Sequence, residues 1–92
     1  MPISFLIYAK RKEDIPEIRR YLEAYANDLY TEKPKDNQCS FRARAHTTTY
    51  ARLFSLQLTK TEQGWQQDGQ PTIPDSLDDI VDWTELCADF EL

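Results

Sequence analysis

Residues 39–60 run for 22 positions without a single Gly, Pro, Asn or Asp. A stretch so poor in turn formers must be regular through most of its length. Phe41, Ala43 and Ala45 alternate with Arg42, Arg44 and His46, and Phe54, Leu56 and Leu58 alternate with Ser55, Gln57 and Thr59. Alternation of this kind puts apolar side chains on one face of a strand and polar ones on the other. The reading is two strands, joined somewhere in residues 47–50. A helix over residues 50–61 is the competing reading, and the run Thr47, Thr48, Thr49 weighs against it, because β-branched side chains favour strands.

The flanking segments complete an α+β order. Ile3, Phe5, Leu6, Ile7 and Tyr8 form a β-prone run ending at the basic turn Lys10, Arg11, Lys12, which predicts a largely buried first strand. Asp14 and Glu17 have capping-box spacing, Pro16 is tolerated in a first turn, and Ile15, Ile18, Leu22, Tyr25, Ala26 and Leu29 recur at helical spacing. The expectation is one long amphipathic helix over residues 14–30, followed by a polar loop over 31–38. Glu62, Gln63 and Gly64 read as a hairpin turn into a short strand at residues 65–67, closed by Asp68 and Gly69. At the C-terminal end, Pro74, Asp75 and Ser76, with Ser76 and Asp79 at capping-box spacing, read as the start of a short acidic helix that stops near residues 85–87, with 88–92 extended or frayed. The expected fold is thus a single small α+β domain over residues 1–92, mainly an antiparallel sheet of three to four strands, in the order β-α-β-β-β-α. At 92 residues a second hydrophobic core could not be built, and 40% hydrophobic content with eleven aromatics is ample for an ordered chain.

Charge is distributed unevenly. All eleven Lys and Arg residues lie between Lys10 and Lys60, giving +4 over the first sixty residues, while the remaining residues carry nine acids and no base, for the net −5. Polarity of this kind predicts two oppositely charged surfaces, an argument about association and not about chemistry. On the predicted C-terminal helix, Asp75, Asp78, Asp79, Asp82 and Glu85 fall within one arc, opposite Leu77, Ile80, Val81, Thr84 and Cys87. The expectation is a carboxylate stripe on one face and packing on the other.

Few residues invite chemistry. His46 is the only histidine, so any imidazole base or ligand must be its own. A nucleophilic pair with Cys39 or Cys87 lacks a recognisable third orienting group, and a zinc site from the same three residues lacks the close spacing such sites show. The aspartates near residue 78 lack the loop glycine and bidentate glutamate of a calcium loop, and two glycines exclude a Gly-rich phosphate loop. No metal and no cofactor are expected. Arg42, Arg44 and His46, with Arg52 as a further candidate, are expected to form a basic stripe on the exposed face of the central strands, with Tyr50 nearby, able to hold an anion or a ligand. Net negative charge argues against nucleic acid as the partner, since binding a polyanion rests on net attraction to phosphate. Two unpatterned cysteines read as thiols in a reducing, cytoplasmic setting, and the N-terminal apolar run is too short to span a bilayer and has its bases on the wrong side for a signal peptide.

Size and charge together favour a small acidic binding module over an enzyme. By analogy at that level only, immunity proteins, antitoxins and phage-encoded inhibitors present clustered carboxylates to basic, nucleic-acid-handling proteins. Asp75, Asp78, Asp79, Asp82 and Glu85 would carry such binding. The alternative is a small enzyme or ligand-binding domain with a pocket near His46, Arg42 and Arg44, for which a dimer would help to form a concave site.

Overall fold

The computed structural model describes residues 2–35 and 38–87. In chain order the elements are β1 (Pro2–Ala9), α1 (Ile15–Tyr25), β2 (Tyr30–Thr31), β3 (Ser40–His46), α2 (Thr47–Leu53), β4 (Gln57–Thr61), β5 (Gly64–Asp68) and β6 (Val81–Leu86). One-turn 3-10 segments, Lys12–Asp14 and Asp75–Leu77, precede α1 and β6. The small α+β domain stands. The expected acidic C-terminal helix does not form, because its span is occupied by a 3-10 turn and by β6. The expectation for residues 88–92 lies outside the described residues.

Four strands form an antiparallel sheet in the order β2-β3-β1-β6, and β4 with β5 form a separate hairpin. Setting the hairpin aside, the order β-α-β-β-α-β places β1 and β2 parallel to each other with β3 between them, the split β-α-β arrangement. The hairpin is an excursion between α2 and β6. Its turn at Thr61–Gly64 closes through Gly64 at φ 119°, a left-handed conformation that favours glycine.

Strand alternation decides what is buried. Phe5, Ile7 and Ala9 of β1, Phe41, Ala43 and Ala45 of β3, and Val81 and Thr84 of β6 point to one face. Ile15, Ile18 and Leu22 of α1 and Tyr50 and Leu53 of α2, with Phe54 just beyond it, join them in a single core. Phe5 meets the ring of Tyr50 at 4.7 Å and that of Phe54 at 6.0 Å. Both helices therefore cover the same face of the sheet, and the first strand is half-buried, with its other face outside.

Local chemistry explains the element ends. The carboxylate of Asp14 does not form the predicted capping box with Glu17. It accepts instead from the Arg11 guanidinium, at 3.2 Å from Nε and 3.3 Å from Nη2. α1 stops at Tyr25, with Ala26 extended, and Leu29 reaches the core from outside the helix. Asp28, in the turn after α1, accepts from the His46 backbone N–H at 2.9 Å and from the Thr49 hydroxyl at 3.1 Å. Those bonds satisfy donors at the start of α2, which is how a Thr-rich segment becomes helical. The helix closes with the Leu56 N–H donating to the Ala51 carbonyl at 3.0 Å and Ser55 in the left-handed region at φ 53°, a Schellman ending.

Candidate functional site

The five predicted carboxylates are all exposed, but they do not share a helix face. Asp75 opens the 3-10 turn, Asp78 and Asp79 follow it, and Asp82 and Glu85 lie on β6. The pairing of β6 with β1 skips a position: Tyr8 faces Trp83 and Ala9 faces Val81. Asp82 is therefore the extra residue of a β-bulge, a device that re-aims side chains and discourages pairing at a sheet edge. Beyond the bulge the strand alternates again, so that Glu85 points over the open face of the sheet, where it accepts from the Tyr8 hydroxyl at 3.3 Å. Asp75, Asp78 and Asp79 thus lie on the segment that leads into β6 and Asp82 at its bulge, an acidic rim in sequence order, while Glu85 lies past the bulge on the face of the sheet. Burial and the neighbouring Glu85 charge both push the Tyr8 phenol upward from its ordinary value.

The charge polarity of the sequence is not preserved in space. The Lys10 backbone N–H donates to the Ile80 carbonyl at 2.9 Å, which sets the basic turn of residues 10–12 beside the acidic rim. Arg11 pairs with Asp14, and no rim aspartate forms a direct salt bridge with a described residue.

Arg42, Arg44 and His46 do project from the outward side of β3, as the alternation predicts, with Arg42 half-buried and the other two exposed. On that open face they stand beside Leu6 and Ser4 of β1, and Tyr30 at 60% and Trp83 at 38% exposure lie toward its two edges. None of Arg42, Arg44 and His46 lines the cavity described next. An open cavity of about 710 Å³ lies between the hairpin and the end of β6, lined by Thr61, Gln63, Trp65, Gln67, Glu85 and Cys87 among others, with no residue of β3 in its wall.

Cysteine and histidine are held apart. Cys39 and His46 bracket β3, about 23 Å of extended chain. The Ala9 N–H donates to the Cys39 carbonyl and the Cys87 N–H to the Ser4 carbonyl. The two cysteines thus flank β1 on opposite sides and about 16 Å apart along it, beyond the roughly 7 Å Cα separation that a disulfide allows. Among the described residues no group of three or more His, Cys, Asp or Glu is placed to hold a metal ion. No helix among them is long and apolar enough to cross a membrane.

Sequence reasoning missed the buried polar junction behind the sheet. Tyr50 is fully buried and its hydroxyl donates to Gln67 Oε1 of the hairpin at 2.9 Å, while the buried Thr84 hydroxyl donates to the Leu6 carbonyl at 2.9 Å. Burial raises the Tyr50 phenol to about 12. A buried tyrosine needs a partner for its hydroxyl, and that requirement is the one signal residue 50 offered in advance.

Comparison with protein-family models, with curated proteins and with solved structures gives no match.

Proposed function

We propose that this chain is a non-catalytic binding module that meets a basic protein partner, in the manner of an inhibitor or immunity-type protein, through the rim formed by Asp75, Asp78, Asp79 and Asp82. One observation supports the reading: four aspartates within eight residues, on the segment entering edge strand β6 and at its bulge, are all exposed, and none is held by a salt bridge to a described residue. Carboxylates so placed raise the encounter rate with a basic surface and bias its orientation. Glu85, turned over the sheet face toward Tyr8, is left out of this surface.

Edge strands also carry charge simply to discourage pairing with other edges. The two roles separate in one experiment. Tagged wild type and the Asp78→Asn/Asp82→Asn variant are used as bait in lysate of the native host, captured proteins are identified, and each is expressed and titrated directly against both baits. A basic protein that binds wild type and loses affinity for the variant supports the proposal. Capture of the same proteins with equal affinity by both baits, with new self-association in the variant, would leave the rim as edge protection alone.

A further inference from the structure

The hairpin and the main sheet leave a gap between two strand edges. β6 is the last strand of its sheet and β5 has only β4 beside it, so each has one edge without a neighbouring strand among the described residues. The cavity between them touches Trp65, Gln66 and Gln67 in a row on β5, and Glu85, Leu86 and Cys87 in a row at and just beyond the end of β6. A strand sends consecutive side chains to opposite faces, so a cavity that touches three residues in succession borders the strand's main-chain edge. The Cα traces of β5 and β6 stay more than 8 Å apart over nearly all their length. A paired neighbour would lie about 4.8 Å away, and an inserted strand needs two such spacings, about 9.6 Å.

Register fixes which main-chain groups face the gap. The Cys87 N–H donates to the Ser4 carbonyl, so those two residues form a hydrogen-bonded pair, and Leu86, opposite Phe5, turns its N–H and C=O away from β1. Thr84 faces the same way but is fully buried, so the accessible part of this edge is at Leu86. On β5 the two-residue turn closes on the pair Thr61 and Gly64. Hydrogen-bonded pairs then recur at Thr59 with Gln66 and at Gln57 with Asp68, which turns the N–H and C=O of Trp65 and Gln67 away from β4. No described residue pairs with these main-chain groups of Trp65, Gln67 and Leu86. The bond from the Tyr50 hydroxyl to the Gln67 side chain holds β5 in place against the core.

We propose that the gap is a slot for an extended peptide segment of another protein, which adds as a strand between β6 and β5 and joins the two sheets into one. Main-chain pairing on both sides supplies attraction whatever the sequence, and the neighbouring side chains supply the preference. Glu85 is the one charged residue among the described residues of the wall; Tyr8 holds one of its oxygens at 3.3 Å, and the other is left to meet a cation. Lys60, with its ammonium 5.4 Å from the centre of the Trp65 ring, is not in the wall. The slot thus favours a segment with Lys or Arg beside Glu85 and β-prone residues on either side. Three residues of contact on each side span about 10 Å, so the segment is short and its binding weak. The rim aspartates lie outside the wall, so this proposal and the partner-binding proposal stand or fall separately.

The test is amide NMR of the whole chain titrated with the capped peptide Thr-Val-Thr-Lys-Thr-Val-Thr. Saturable shifts and slowed hydrogen exchange are expected at the backbone amides of Trp65, Gln67 and Leu86, with a Kd below about 1 mM. The same peptide N-methylated at alternate residues keeps every side chain but loses the donors along one edge, and is expected to bind at least tenfold more weakly. Replacing its Lys by Glu, or Glu85→Gln in the protein, is expected to weaken binding several-fold, with circular dichroism reporting that the variant stays folded. Absence of saturable change at the three amides up to about 2 mM peptide overturns the proposal, as does binding confined to another surface. Equal binding of the N-methylated peptide overturns it too, because side chains alone would then carry the contact, and so does indifference to both charge changes. Amides of Trp65, Gln67 and Leu86 that exchange slowly before any peptide is added also overturn it, since the slot is then filled from within the protein.

Discussion

Leu22 offers the sharpest test of how the domain is held together. It is fully buried in the middle of α1 and packs in the single core that also contains Phe5, Ile7 and Phe41. Leu22→Ala removes three carbons. At about 0.8 kcal/mol for each buried methylene the transfer loss is about 2.4 kcal/mol, and incomplete collapse of the cavity raises the expected cost to about 3–4 kcal/mol. A chain of this length has roughly 5–14 kcal/mol of total stability, so the change removes about a fifth of it or more. The corresponding drop in Tm is about 12–25 °C. Urea unfolding followed by tryptophan fluorescence checks the value, with Arg20→Ala on the exposed side of the same helix as control. A loss below about 1 kcal/mol, or one equal to the control, would refute the claim that this face of α1 closes the core.

Four further outcomes follow from the geometry. Asp28 has its carboxyl held below the ordinary value chiefly by the His46 backbone N–H and further by the Thr49 hydroxyl, so its contribution is present above the unfolded carboxylate value and lost as pH falls through the folded one; Asp28→Asn should flatten the acid limb of a stability–pH curve. Tyr50 works in the opposite sense: its raised value stabilises the fold below about pH 10 and the contribution fades as pH rises toward about 12, so absorbance titration should show a phenol that ionises late and Tyr50→Phe should remove that behaviour. The His46 backbone N–H from which Asp28 accepts survives alanine substitution, so His46→Ala should cost less stability in urea unfolding than Asp28→Asn. Because the basic turn lies beside the rim, Lys10→Gln/Lys12→Gln should raise the association rate with a basic partner, measured by stopped flow at low salt.

Elements whose side-chain period matched their structure were legible in advance. β1, β3 and the β4–β5 hairpin follow from alternation and turn residues, and the start of α1 from its apolar spacing. The helix expected over residues 14–30 ends at Tyr25 and gives way to β2, and two other segments were misread for identifiable reasons. In β6 the bulge at Asp82 leaves Val81 and Thr84 buried with two exposed residues between them, so a strand displays the i, i+3 spacing of a helix. In α2 the threonines favour strand locally, and the acceptor that starts the helix, Asp28, comes from eighteen residues or more away in sequence. Of the candidate sites, the outward direction of Arg42, Arg44 and His46 was readable from period two. The separation of Glu85 from the aspartates was not, because it depends on the bulge and on a cross-strand bond to Tyr8.

The partner-binding claim is tested most directly by the association rate of wild type and the Asp78→Asn/Asp82→Asn variant with a purified basic partner, measured from about 20 to 500 mM salt. Exposed charges act over about 10 Å at 0.1 M salt and over less as salt rises. The account predicts a wild-type rate several-fold above the variant at the lowest salt, and convergence of the two at the highest. Equal rates at every salt concentration, with both proteins folded, would contradict it.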